Sequence, residues 1–250
     1  MLLKTLITMN KVEVYGYSER GIFNSIVFYF GVYFDKIPNF LKTLEIEDET
    51  IYEQEVKYTF LVEQSFSDFG SCDLVIIAEN QQKKSKIVVF IEGKVKTSQV
   101  GFSLEQQFLK LKDCNVKFKG ISSNIFVQLY YKYLLIKIIQ NNIDETTNLI
   151  INDIFKKDKN NERKIGNNKI VLKAIEKIRN ATKIYYVAIL PEYKQSSDFQ
   201  QKYLELNKTI FIDEQIPINN VRSVYWANVE KLFTDDVVKG NFLYNEGQIY

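Results

Sequence analysis

Three observations predict an α/β fold. Residues 74–78 and 87–91 are near-continuous aliphatic runs separated by a short polar gap, the pattern of strands buried on both faces. Stretches with helical spacing of apolar residues stand on either side of that pair. A further aliphatic run at 184–190 is stopped by Pro191, which has no N–H to continue a ladder.

In chain order, residues 18–34 predict a helix, with Ser18 as N-cap, Glu19 in the first turn, and Ile22, Ile26, Tyr29, Phe30 and Tyr33 on one face. The polar segment 37–50 carries one proline and is expected to end that helix before a strand. Residues 55–65 alternate through Val56, Tyr58, Phe60 and Val62, a strand pattern. Phe69-Gly70-Ser71 reads as a turn, and the polar connector 79–86 makes 74–78 and 87–91 a hairpin. Residues 104–114, 124–140 and 170–180 have helical periodicity, and 156–168 is a charged, Asn-rich loop. Beyond Pro191 the pattern is mixed: a polar segment with Phe199 and Tyr203, strand-like 210–212, then 223–226 leading into a short helix. The order is helix, three strands, helices, strand, mixed tail.

The bulk composition bounds function mainly by exclusion. The 250 residues suffice for one domain with a sizeable core. The chain contains no histidine, which removes Ser-His-Asp and Cys-His hydrolases and histidine-ligated zinc. Cys72 and Cys114 are the only cysteines, more in keeping with a reducing cytoplasm than with a disulfide scaffold. The start, from Met1 to Ile7, is too short an apolar run for a secretory signal, and no apolar window is long enough to span a membrane. A net charge of +2 does not announce a nucleic-acid partner, so any electrostatic footprint must be local. Hydrolytic chemistry would therefore run on carboxylates, lysine, tyrosine or a carboxylate-held metal.

Asp73 heads the first aliphatic run and Glu92-Gly93-Lys94 closes the next. Paired as a hairpin, the two carboxylates and the ammonium meet at one end of the sheet, a set able to hold a hard divalent cation. The chain has four Glu-x-Lys triplets, at 55–57, 92–94, 162–164 and 192–194, and only the second comes directly off an aliphatic strand. The plainer alternative is that Asp73 and Glu92 merely terminate strands, with Lys94 as an ion-pair partner.

Asp73 followed by Glu92-x-Lys94 on the next strand resembles the signature of the PD-(D/E)xK nuclease superfamily. Phe69-Gly70-Ser71-Cys72-Asp73 is similar to that family's turn into its metal-binding aspartate, with Cys72 where proline is often found. Residues 17–24 look like its first core helix, and the element order fits its αβββαβ core. The resemblance implies a restriction-endonuclease-like fold with a mixed central sheet flanked by helices, spanning about residues 15–190. On that reading residues 1–195 form the core with a helical insertion at about 103–180, and 196–250 extend the same domain.

It further implies a Mg²⁺- or Mn²⁺-dependent hydrolase of DNA phosphodiesters in restriction or anti-phage defence, with homodimerisation allowing two-strand cutting. Asp73, Glu92 and the carbonyl of Gly93 would hold the metal, and Lys94 would serve the attacking water. Glu19 would act through a metal-bound water or hold a second ion, or else simply complement the helix dipole. Glu63 either faces the site or forms an edge ion pair.

Lys96 and Lys84 are weaker candidates for phosphate contact, along with Lys83, Lys86, Lys110, Lys112, Lys117, Lys119 and the 156–164 loop. Gln128 matches a helix Gln used in some branches, but Lys132 stands where those branches carry Tyr. Tyr130, Tyr131 and Tyr133 either stack bases or belong to the core. Trp226 is expected to anchor the tail. Two other readings stay open: a non-catalytic nucleic-acid-binding or assembly protein with the same fold, and an RNA-directed nuclease.

Overall fold

The computed structural model describes residues 14–53, 55–96, 101–113, 122–141, 150–152, 162–191 and 199–250. Met1 to Ile7, Cys114, Lys117, Lys119, the 192–194 triplet and residues 156–161 of the charged loop lie outside the described residues.

Helix α1 (Ser18–Val32) and the short α2 (Ile37–Thr43) precede a meander of β1 (Val56–Ser65), β2 (Ser71–Asn80) and β3 (Ser85–Gly93). Helices α3 (Leu104–Lys112) and α4 (Ile125–Asn141) follow, then a small ribbon of β4 (Ile150–Asn152) and β5 (Glu162–Lys164). The chain continues through α5 (Lys169–Ile178), β6 (Lys183–Leu190), α6 (Phe199–Thr209) and β7 (Val221–Tyr225). It ends in α7 (Trp226–Glu230), α8 (Asp236–Tyr244) and α9 (Glu246–Ile249). The main sheet has the order β1-β2-β3-β6-β7. β2 is antiparallel to β1 and β3, whereas β3, β6 and β7 run parallel. It is a five-stranded mixed sheet flanked by helices, so the α/β class predicted from the aliphatic runs is observed.

Strand alternation divides the core into two layers. Val75 and Ile77 of β2 and Val88 and Phe90 of β3 pack against α3, α4, α5 and α6. Leu74, Ile76, Ile87, Val89 and Ile91 pack on the other side against α1, α2, α7 and α8. The stretch expected as a helical insertion therefore supplies most of one layer, which α6 completes. The tail beyond residue 196 supplies β7 and the fully buried Trp226, Val229 and Phe242.

Several local expectations are corrected. Ser18 does not cap α1: its φ is 60° and no side-chain cap bond forms. Instead, α8 pins the entry to the helix, with Asn245 Oδ1 accepting from the Ser18 N–H at 2.6 Å and Asn241 Oδ1 from the Gly16 N–H at 2.7 Å. The segment 37–50 contains α2, with Pro38 in its first turn where a missing N–H costs nothing. Residues 210–212 form no strand; Phe211 closes the end of α6 and stacks on Tyr130 with centroids 4.0 Å apart. Residues 162–164, expected in a loop, pair with β4.

Candidate active site

The β2–β3 ladder places Leu74 opposite Ile91, so the next residues outward, Asp73 and Glu92, lie at the same end of the hairpin, near enough for the charge of Glu92 to act on Asp73. Lys84 sits in the turn at the other end, with φ 50°. At about 3.3 Å per residue that is roughly 20 Å or more from the carboxylates, which removes Lys84 from the site.

Asp73 is re-aimed by an irregularity in β1–β2. Val62↔Leu74 and Gln64↔Cys72 bracket a missing rung where Glu63, with φ 49°, stands opposite Asp73. Cys72 joins the α4-side layer with Val75 and Ile77, so face alternation breaks between residues 72 and 74. A local defect of this kind changes where a side chain points. Asp73 Oδ2 accepts the Gly93 N–H at 2.8 Å, tying the end of β2 to the end of β3. Burial, followed by the charge of Glu92, pushes the Asp73 carboxyl up to about 7, against lowering by the Gly93 N–H and Lys94; Glu19 raises it further. Glu63 itself is exposed and paired with Arg20 at 2.6 Å, the edge ion pair of the two alternatives.

Glu92 lies on the α4 side of β3 and is fully buried. Its partner is Lys132 of α4: Nζ is 3.3 Å from Glu92 Oε1, and both side chains are 1% exposed. The same ammonium donates to the Phe69 carbonyl at 3.0 Å. Neither carboxylate oxygen of Glu92 accepts a hydrogen bond of good geometry among the described residues.

Gly93 is required by close approach. A Cβ there would lie 2.9 Å from both Phe23 Cε2 and Trp226 Cζ2, and 3.1 Å from Glu19 Cβ. This packing brings Glu19 of α1 to the opposite side of the strand end from Glu92, with its Oε2 buried and unpartnered.

Lys94 ends the parallel ladder, its N–H donating to the Ile189 carbonyl at 2.8 Å. The next rung would need an N–H from residue 191, which is proline. The Trp226 indole supplies the missing donor, Nε1 to the Lys94 carbonyl at 2.8 Å. Trp226 is thus a tail anchor that also fixes the backbone of the Glu92-Gly93-Lys94 triplet. The Lys94 ammonium is close enough to lower the Asp73 pKa and forms no ion pair within 4 Å among the described residues.

Other candidates fall away from the centre. Lys96 donates from Nζ to the Tyr250 backbone oxygen and from its N–H to the Gln248 carbonyl, holding the tail. Tyr130 and Tyr131 are buried and Tyr133 is half-buried, which excludes the first two from stacking on bases. Arg163 lies over the Tyr131 ring. Lys83, Lys86 and Lys112 engage Glu53, Glu79 and Glu205. Gln128 lies one turn before Lys132, and its Oε1 is buried without a hydrogen-bond partner.

Lys132 is not a candidate from sequence, where it only stands in place of a tyrosine. The available signal was its setting. Leu129, Leu135 and Ile136, its neighbours at helical spacing, are all buried, and a lysine in such a stripe requires a counter-ion.

Among the described residues no group of three or more His, Cys, Asp or Glu side chains is arranged to hold a metal. The oxygens on offer are two carboxylates, Asp73 and Glu92, the Gly93 carbonyl, and Glu19 across the strand end. This is a hard-oxygen donor set, and its buried oxygens that accept no hydrogen bond suit a small divalent cation. No family model, curated protein or solved structure matches the chain.

Proposed function

We propose that this chain is a divalent-metal-dependent nuclease that hydrolyses DNA phosphodiesters on a restriction-endonuclease-like core. One observation carries the reading: the hairpin register brings Asp73 and Glu92 to one strand end, beside an ammonium, Lys94, that is in no ion pair among the described residues. The order α1, β1–β2–β3, α4, β6, with β6 parallel to β3, suits the αβββαβ core that the sequence resembles.

Asp73 and Glu92, with the Gly93 carbonyl, would hold Mg²⁺ or Mn²⁺. When bound, the ion supplies charge stabilisation and makes water a stronger acid. The chain's own residues do the rest. Lys94, fixed through its backbone by Ile189 and Trp226, orients the attacking water and steadies negative charge on the scissile phosphate. Water oxygen bonds to phosphorus as the bond to the leaving oxygen breaks. With no histidine in the chain, the proton from water passes to a carboxylate, and the leaving oxygen takes a proton from solvent. Glu19, on the far side of Gly93, offers a further acceptor for water at the site. Exposed lysines held only in surface ion pairs can exchange those partners for phosphate at little cost.

The reading places the protein in the cytoplasm, with restriction or anti-phage defence as its setting and a homodimer as its working form. No helix among the described residues is long and apolar enough to cross a membrane.

A second reading has its own support. The complete burial of Glu92 against Lys132 suits a non-catalytic nucleic-acid-binding or assembly protein that keeps the fold. Cleavage assays on plasmid, single-stranded DNA and RNA with Mg²⁺ separate the two. The wild type is expected to cut DNA, and Asp73→Ala and Lys94→Ala are expected not to. Equal cutting by all three would refute the site, and binding without cutting by the wild type would favour the second reading. Cleavage of RNA alone would redirect the substrate.

A further inference from the structure

Lys132 lies where a cation-binding site would least be expected to place a second positive charge. Its ammonium bridges three elements at once: α4, which carries it; the Phe69 carbonyl, in the turn that leads into β2 and Asp73; and Glu92, at the end of β3. Gly70, the next residue of that turn, has φ 75°, and a Cβ there would come within 3.7 Å of Nζ. With a 1% exposed side chain, the charge is compensated by protein groups rather than by water. The pair is incompletely satisfied. Glu92 keeps both oxygens without a well-formed hydrogen bond, and Gln128 Oε1, one turn away, is also buried and unpartnered.

From this geometry we infer that Lys132 is a positioning residue acting through Glu92: a built-in counter-ion that holds the carboxylate aimed, and that weakens divalent-cation binding. The inference deepens the proposed nuclease reading and rests on it. An ammonium already 3.3 Å from Glu92 Oε1 draws on the charge that would hold the ion, and it repels any divalent cation on the neighbouring oxygens. The site then takes a single weakly bound ion, with Lys132 occupying the electrostatic place of a second. Replacing the ammonium by a neutral group removes the repulsion and leaves Glu92 in need of a cation, so metal binding and stability become coupled.

The test is Mn²⁺ binding to the full chain, measured by electron paramagnetic resonance of free Mn²⁺ and by the metal-induced shift in melting temperature. Wild type, Lys132→Gln, Lys132→Arg and Asp73→Asn are compared. Lys132→Gln keeps a donor for the Phe69 carbonyl and drops the charge; Lys132→Arg keeps the charge. Lys132→Gln is expected to bind Mn²⁺ at least tenfold more tightly than wild type and to show the larger melting shift, with Lys132→Arg close to wild type. A merely structural role for Lys132 would lower the melting temperature of Lys132→Gln without tightening Mn²⁺.

Unchanged or weaker binding by Lys132→Gln, with wild-type binding still abolished by Asp73→Asn, would overturn the inference and leave the metal site standing. Equal tightening in Lys132→Arg would also overturn it, since charge would then not be the cause. Absence of Asp73-dependent binding in every protein, Lys132→Gln included, would overturn the inference together with the metal-site reading. Should Lys132→Gln fail to fold without metal, refolding it in a Mn²⁺ series gives the same comparison: recovery at lower Mn²⁺ than wild type binds supports the inference, and no recovery at any concentration refutes it.

Discussion

Replacing Asp73 with Asn keeps an acceptor for the Gly93 N–H and removes a buried charge, so its effect on stability can be worked from the structure. Burial first, and Glu92 second, raise the Asp73 carboxyl from an ordinary value of 3.8 to about 7. One pKa unit corresponds to about 1.4 kcal/mol, so the ionised carboxylate costs the fold on the order of 4 kcal/mol. The sign follows from proton binding. The folded-state pKa lies above the unfolded one, so between these two values the native state holds more protons, and stability falls as pH rises through that window. Asp73→Asn lacks this loss. It should match wild type near pH 4, gain steadily above it, and reach a plateau of roughly 4 kcal/mol above pH 7. Urea unfolding followed by the fluorescence of Trp226, the chain's single tryptophan, measures the gap at pH 4.5, 6 and 8. Adding Mg²⁺ should narrow the gap at pH 8, because a bound ion stabilises only the protein that can hold it. An Asn variant no more stable than wild type at pH 8, or an advantage independent of pH, would refute this account.

Gly93→Ala should destabilise by about 1–3 kcal/mol and abolish cleavage, since its Cβ meets Phe23 and Trp226 at 2.9 Å; thermal melting and the plasmid assay check both. Trp226→Phe removes the indole donor to the partly buried Lys94 carbonyl, and leaving it unsatisfied costs at most about 1–3 kcal/mol. Its cleavage rate should fall further than its stability explains, and a rate that simply tracks the melting temperature would count against a positioning role. Lys84→Ala, at the far hairpin turn, should leave the affinity for DNA and its salt dependence unchanged in a fluorescence-anisotropy titration. Arg20→Ala breaks an exposed pair and should cost less than about 1 kcal/mol in urea unfolding.

The strands were legible because burial on both faces leaves little choice of residue. Val75, Ile76 and Ile77, and Val88, Val89 and Phe90, face both layers in turn, and all are buried. The register followed from the same source, and with it the placing of Asp73 and Glu92 at one end of the hairpin. Ser18 was misread because cap preference is a local rule, while Asn241 and Asn245 reach the entry of α1 from more than two hundred residues away. The role of Trp226 was only half legible. Its burial could be expected, but its bond to the Lys94 carbonyl depends on Pro191 interrupting a ladder whose parallel partner was not known from sequence.

Lys132 shows where a short signature stops being informative. The triplet Glu92-Gly93-Lys94 names residues along one strand, but the charge balance of a buried carboxylate is set by the layer above it. In α4 that layer is apolar at nearly every position facing the sheet, so one lysine changes the electrostatics more than any surface run of lysines does. Removing the ammonium alone would leave Glu92 buried without a counter-ion, a loss of about 3–5 kcal/mol. Glu92→Gln and Lys132→Met combined should recover much of what either single change loses, because the double variant buries no charge at this pair. A double-mutant cycle on unfolding free energy at pH 8 measures that coupling. Additive losses would mean that the two charges, 3.3 Å apart, stabilise the fold independently, and Lys132 could not then be acting through Glu92.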